Sequence, residues 1–132
     1  MKKVILFALL ALLIGLQANC QDFTRKEIQM AIMYSGFGNL HGINLYGANL
    51  EGIDLSNLDL TAAILVNANL QGANLSNAVL SRAQLGRANL RNAKLNEAHL
   101  LNANLFEANI DNADITGANL SGATMPDGSK KK

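Results

Sequence analysis

An apolar residue stands at every fifth position from Leu40 to Met125, and this spacing restricts how the chain can fold. Eighteen positions follow the rule: fifteen are Leu, and the others are Ile110, Ile115 and Met125. On a helix, residues five apart point about 140° away from each other, and on a flat strand they alternate between faces. A continuous helix and a continuous flat strand are therefore both excluded for this segment.

A second small or apolar residue stands two places before each of these positions. It is Ala in fourteen units, and the exceptions are Gly38, Ile43, Ile53 and Leu58. Positions two apart in an extended segment point the same way, so both residues face an interior. The other positions are rich in Asn, Gly and Ser, which favour tight turns. The sequence therefore predicts short extended sides joined by corners and stacked as a solenoid, with roughly 4.8 Å between coils.

The units ANLQG, ANLSN, ANLRN, ANLFE and ANLSG resemble the A-[DN]-L-x-x repeat of the pentapeptide repeat proteins. The resemblance covers residues 38–125. It implies an all-β solenoid, namely a right-handed quadrilateral β-helix with four repeats per coil, Leu in the interior and Ala beside it at the corner. The 88 residues of this segment, at twenty per coil, would make about 4.4 coils.

Four repeats per coil would stack residues that are twenty apart. Three pairs of opposite charge then coincide, and such cross-strand pairs stabilise a sheet by roughly 0.2–1 kcal/mol each. They are Arg87 with Glu107, Arg91 with Asp111, and Lys94 with Asp114. The same register predicts a column of stacked amides, formed by Asn49, Asn69, Asn89 and Asn109.

The first twenty residues are typical of a secretory signal peptide. Lys2 and Lys3 precede an unbroken apolar run from Val4 to Leu16, which is short for a membrane span. Two alternatives stay open for Cys20, the only cysteine. It could accept a lipid, as in a bacterial lipoprotein, although Gln17 stands where that pattern has an aliphatic residue. Simple cleavage after Cys20 fits the small-residue rule better. Both readings predict export to the periplasm, the cell envelope or the medium.

Residues 21–37 predict a short N-terminal capping helix. Thr24 and Glu27 form a capping box, and Ile28, Ala31 and Ile32 would cover the first coil. At the other end, residues 126–132 contain one proline and three lysines, and we predict a disordered basic tail that protects the open edge.

No known catalytic or phosphate-binding motif occurs in the sequence. His41 and His99 fall on different coils, and neither has a neighbour suited to bind a metal. The sequence therefore predicts neither an enzyme nor a cofactor. In the predicted register, four apolar residues point outward on one side of the solenoid: Tyr46, Ile64, Val66 and Phe106. They are either scattered surface residues or a contact surface.

The preferred hypothesis is an exported, non-catalytic scaffold that binds a protein partner through these four residues, as a monomer or weak dimer. The family resemblance also implies an alternative, since some members imitate DNA and bind DNA gyrase. Residues 38–125 carry seven acids and four bases, which is a weak negative charge for a DNA mimic. The export signal also argues against a cytoplasmic target. We expect no nucleic acid partner, and membrane contact only through a lipid at Cys20.

Overall fold

The computed structural model describes residues 40–132, which form a stack of four-sided coils. Single residues spaced five apart bridge in parallel to the residue twenty positions further on, from Asn44↔Ile64 to Asn104↔Thr124. Within the described range there is no helix, and no strand is longer than one bridging residue. The predicted stacking of residues twenty apart is therefore confirmed. The predicted signal peptide and capping helix lie outside the described residues.

A tight turn forms every corner. The amide of Ile43 donates to the carbonyl of Leu40 at 3.1 Å, and this bond recurs every five residues up to Ala123, except at Leu58. Only the third residue of each turn has a positive φ, which defines a type II turn. Glycine takes this place at Gly42 and Gly72, whereas Ala62 and Arg87 adopt the same left-handed backbone with φ near 60°.

Backbone hydrogen bonds join each coil to the next. The amide of Leu45 donates to the carbonyl of Ile64 at 2.8 Å, and the amide of Ile64 donates back to the carbonyl of Ile43 at 2.8 Å. The same exchange recurs on all four sides up to Thr124. Because each coil satisfies the polar backbone of its neighbours, very short bridged segments suffice to build the stack.

The interior contains only aliphatic side chains among the described residues. Leucines from Leu45 to Leu105 fill it in columns, and alanines line the corners beside them. No polar or charged side chain is buried in this part of the chain. At the C-terminal end the interior opens: Ile110 is half-buried and Ile115 is 39% exposed.

The C-terminal residues differ from the predicted disordered tail. Thr124 and Lys130 form an antiparallel bridge, and the amide of Lys131 donates to the carbonyl of Ala123 at 2.9 Å. Lys130 Nζ also donates to Thr124 Oγ1 at 2.7 Å. The physical reason is a tight turn at Gly128, whose φ of 84° reverses the chain so that it pairs with the edge of the last coil.

Candidate interaction face

The four predicted site residues lie on one side of the stack, which we call the Tyr46 face. Its sides are residues 43–47, 63–67, 83–87, 103–107 and 123–127, placed above one another by the bridges from Asn44 to Thr124. Tyr46, Val66 and Phe106 share the column at the start of the turn, and Ile64 lies in the column at the middle of the side. The structure therefore brings together the residues that the sequence analysis grouped.

Exposure differs among the four residues. Tyr46 is 51% exposed, Phe106 43% and Ile64 37%, whereas Val66 is half-buried. Among residues 40–132 only two other large apolar side chains are exposed, Leu101 on the adjacent side and Ile115 at the open end. Three of the five exposed large apolar side chains of this region thus lie on a single flat face.

Tyr46 and Phe106 are held by specific neighbours. Asn67 Nδ2 donates to the hydroxyl oxygen of Tyr46 at 2.9 Å, which directs the ring towards the next coil. Phe106 lies beside the C-terminal turn, where its Cε2 atom is 3.5 Å from the position that a Cβ on Gly128 would take. The sequence analysis missed this border of the face, although the run Pro126–Ser129 contains the turn-forming residues that signal it.

One ion pair borders the face. Arg87 Nε donates to Glu107 Oε2 at 2.5 Å, as predicted, and this hydrogen bond raises the pKa of the Arg87 guanidinium. The other two predicted pairs, Arg91 with Asp111 and Lys94 with Asp114, are stacked as predicted but form no ion pair within 4.0 Å. Lys94 and Asp114 do bridge through their backbones. Hydrogen bonds from Thr116 lower the pKa of the Asp114 carboxyl, and the charge of Lys94 lowers this pKa further.

The next side of the stack along the chain has a polar surface. It comprises residues 48–52, 68–72, 88–92 and 108–112. Asn69 Nδ2 donates to Asn49 Oδ1 at 3.3 Å, and Asn89 Nδ2 donates to Asn69 Oδ1 at 2.9 Å. The predicted amide ladder is therefore confirmed for three residues. Asn109 lies in the same column but makes no side-chain bond to Asn89; its Oδ1 accepts from the amide of Asp111, as the Oδ1 atoms of the other three accept from the amide two residues on. The apolar patch thus does not extend onto this side.

Aspartates on the other sides close local turns. The Ser56 hydroxyl donates to Asp54 Oδ1 at 2.7 Å, and this bond is the largest cause of a lowered pKa for the Asp54 carboxyl. Hydrogen bonds from Thr61 lower the pKa of Asp59 in the same way. A general acid or base needs a pKa near the working pH, whereas these shifts move away from neutrality.

His41 and His99 lie at different positions on the side that precedes the Tyr46 face. On this side Asp59 bridges to Val79 in the next coil, and Val79 bridges to His99 in the coil after that. Residues 40–132 contain no group of three or more His, Cys, Asp or Glu side chains that could hold a metal ion. The same region contains no helix with the length and hydropathy needed to cross a membrane. Cys20 lies outside the described residues.

The family model for pentapeptide repeats matches the chain at residues 43–82 and 83–122, with eight copies. Among solved structures, 27 chains match. One is a pentapeptide repeat protein from the thylakoid lumen of Arabidopsis thaliana, with 28% identity, a TM-score of 0.65, and coverage of 71% of this chain and 66% of that chain. No curated protein matches the sequence.

Two further similar structures come from the cyanobacterium Nostoc. HetL, which is involved in the regulation of heterocyst differentiation, is 40% identical with a TM-score of 0.38, over 67% of this chain and 43% of that one. A second Nostoc pentapeptide repeat protein is 35% identical with a TM-score of 0.44, over 73% of this chain and 75% of that one. The chain spans less than two thirds of the length of HetL and of the Arabidopsis protein.

Proposed function

The chain belongs to the pentapeptide repeat family, and from that premise we propose that it is a non-catalytic scaffold that binds a protein partner through the Tyr46 face. The observation that carries the proposal is the gathering of exposed Tyr46, Ile64 and Phe106 on one side. Clusters of exposed apolar side chains often mark contact surfaces of soluble proteins.

Rigidity supports the same proposal. The side chains of this face stand on a backbone whose every coil is bonded to its neighbours, and Tyr46 is further held by Asn67. A surface that is ordered before binding loses less conformational entropy when a partner docks. Aromatic anchors such as Tyr46 and Phe106 are also the side chains that contribute most to protein interfaces.

A non-catalytic role is consistent with the chemistry of the described residues. Their shifted aspartates, Asp54, Asp59, Asp114 and Asp127, all have a lowered pKa because hydroxyl and amide groups two residues on donate to the carboxylate. Such groups remain charged at neutral pH and are poor proton donors. We therefore propose neither a reaction nor a cofactor.

Export is the second part of the proposal. Residues 1–20 have the pattern of a signal peptide, and a relative with 28% identity comes from the thylakoid lumen, a membrane-enclosed compartment. We propose the periplasm, the cell envelope or the medium as the destination. Cleavage after Cys20 and lipidation of Cys20 are distinguished by the intact mass of the native protein, combined with fractionation of the cells.

The finer features of the fold belong to the same proposal. We propose a right-handed β-helix of about 4.4 coils over residues 38–125, at twenty residues per coil. A helix within residues 21–37 would cover the first coil, where Ile43 and Ile53 replace the usual alanine. Peptide-resolved hydrogen exchange would test the helix, since an unfolded segment would exchange at once.

Capture of a partner tests the binding face. The double variant V66S/F106S removes two apolar side chains from the Tyr46 face, and we expect it to capture no partner from a cell-envelope extract. The matched control V79S/L101S removes two apolar side chains from the adjacent side. Equal capture by wild type and V66S/F106S would overturn the assignment of this face.

A further inference from the structure

Gly86 is unlike the other glycines of the described region. The others sit at turn positions with φ between 61° and 84°, where a side chain would be strained. The φ of Gly86 lies outside this left-handed region. A Cβ placed on Gly86 would meet only the carbonyl oxygen of Phe106 at 3.6 Å, which is an ordinary contact. The fold therefore permits a larger residue here, and its absence leaves a notch between Val66 and Phe106.

We propose that a second copy of the chain docks on the Tyr46 face in antiparallel orientation. The two-fold axis would lie in the interface, perpendicular to the coil axis. It would pass between side 83–87, which contains Gly86, and side 103–107, which contains Phe106; each such side is one layer of the face. This inference rests on the proposed function, because it names an occupant for the same face.

The shape of the face is complementary to itself about this axis. Phe106 of each copy lies over the Gly86 notch of the other, and Val66 of each copy meets Pro126 of the other. The two Phe106 rings are then displaced by one layer, roughly 4.8 Å, which falls in the range of stacked aromatic pairs. Any side chain larger than glycine at position 86 would occupy the place of the incoming ring.

The charges are complementary about the same axis. Arg87 and Glu107 stand in adjacent layers at one border of the face, and their side chains are 67% and 45% exposed. The rotation places Arg87 of each copy opposite Glu107 of the other, so two such pairs form across the interface. Each charge then has opposite charges on two sides, beside it in its own chain and across the interface. The same rotation places Gln84 opposite Asn104, an amide opposite an amide.

The size of the face sets the expected strength. Four layers overlap, which corresponds to roughly 19 Å by roughly 10 Å of flat surface per copy. The two copies together would bury roughly 400 Å², which lies well below the roughly 1,200 Å² of total buried surface found in stable complexes. We therefore expect a weak dimer that forms at hundreds of micromolar, and no stable dimer at low micromolar concentration.

Sedimentation equilibrium of the full chain, from about 10 µM to about 1 mM, tests the inference over the range in which such a weak complex forms. We expect the average mass of wild type to rise towards twice the monomer mass. G86Q fills the notch, and F106Q removes the ring; both are expected to remain monomeric. L101Q is the matched control, because Leu101 takes the same turn position in the same coil and is also 43% exposed. It should dimerise like wild type.

Charge reversal provides a test that does not depend on the apolar residues. R87E and E107R each place like charges opposite one another across the interface and should abolish the dimer. The double variant R87E/E107R again places opposite charges across the interface and should recover the dimer. A wild type that stays monomeric at about 1 mM, or a dimer unaffected by R87E and G86Q, would overturn the inference. If R87E is monomeric yet still captures a partner as wild type does, self-association and the proposed partner binding are separate properties of the face.

Discussion

Leu75 and Ile115 occupy the same interior column, two coils apart, yet Leu75 is fully buried and Ile115 is 39% exposed. The difference arises because coils lie on both sides of Leu75, whereas Ile115 belongs to the last coil. Equivalent positions in the repeat therefore contribute unequally to stability.

Truncation of these two residues is expected to separate their contributions. Leu75→Ala should lower the free energy of unfolding by about 3–5 kcal/mol, because it loses buried surface and leaves a cavity between coils. Ile115→Ala should cost about 1 kcal/mol, since water already reaches that side chain. Urea unfolding followed by circular dichroism measures both values, and equal losses would contradict the open C-terminal end.

Overpacking at a corner should also destabilise the stack. Ala78 is fully buried beside the leucine columns. Ala78→Leu adds three carbon atoms at this fully buried site, and we expect a loss of about 1–3 kcal/mol in the free energy of unfolding. An unchanged urea midpoint would mean that the corner can expand. Leu101→Ala, at an exposed corner, serves as a control for a change of similar size.

The same substitution should have opposite effects at two glycines. Gly86→Ala is expected to raise the free energy of unfolding by about 0.4–1 kcal/mol, because it restricts the unfolded chain at no steric cost. Gly117→Ala should lower it by about 1–2 kcal/mol, because a φ of +70° is strained for a residue that carries a Cβ, and the flexible Glu97 side chain would also have to move aside. Thermal unfolding compares the two directly, and shifts of the same sign would contradict the turn geometry.

Acid should destabilise the protein through its turn-closing aspartates. Hydrogen bonds from Ser56 and Thr61 lower the pKa of Asp54 and Asp59 in the folded state. Their stabilising contribution is therefore complete above the unfolded pKa of about 3.9 and is lost as the pH falls through that value towards the lower folded pKa.

The variant D54N/D59N tests this pH dependence. We expect stability close to wild type at pH 7, because an amide closes the same turn at Asn74, where the Ser76 hydroxyl donates to Asn74 Oδ1 at 2.7 Å. Between neutral and strongly acidic pH, the urea midpoint of the variant should fall less than that of wild type. An equal fall in both proteins would assign the acid sensitivity to other groups.

The candidate face could be predicted from sequence because the register was strict. A coil of twenty residues places Tyr46, Val66 and Phe106 in one column by arithmetic, and the structure confirms that placement. The pairing of side chains was less predictable. Arg87 forms an ion pair with Glu107, whereas Lys94 forms none with Asp114. Long exposed side chains have many rotamers of similar free energy, so the sequence does not show which pairs make contact.

The sequence by itself determined the layered interior and the turns, because aliphatic residues two apart can be buried together only if the chain bends within each five-residue unit. Only the tertiary structure decided how the C-terminal end is closed. The turn at Gly128 pairs the C-terminal residues with the edge of the last coil, whereas Ile115 stays partly in water. Turn-forming residues at 126–129 indicate that the repeat ends there, but whether the residues beyond them pair with the last coil depends on which backbone groups lie beside them in the folded chain.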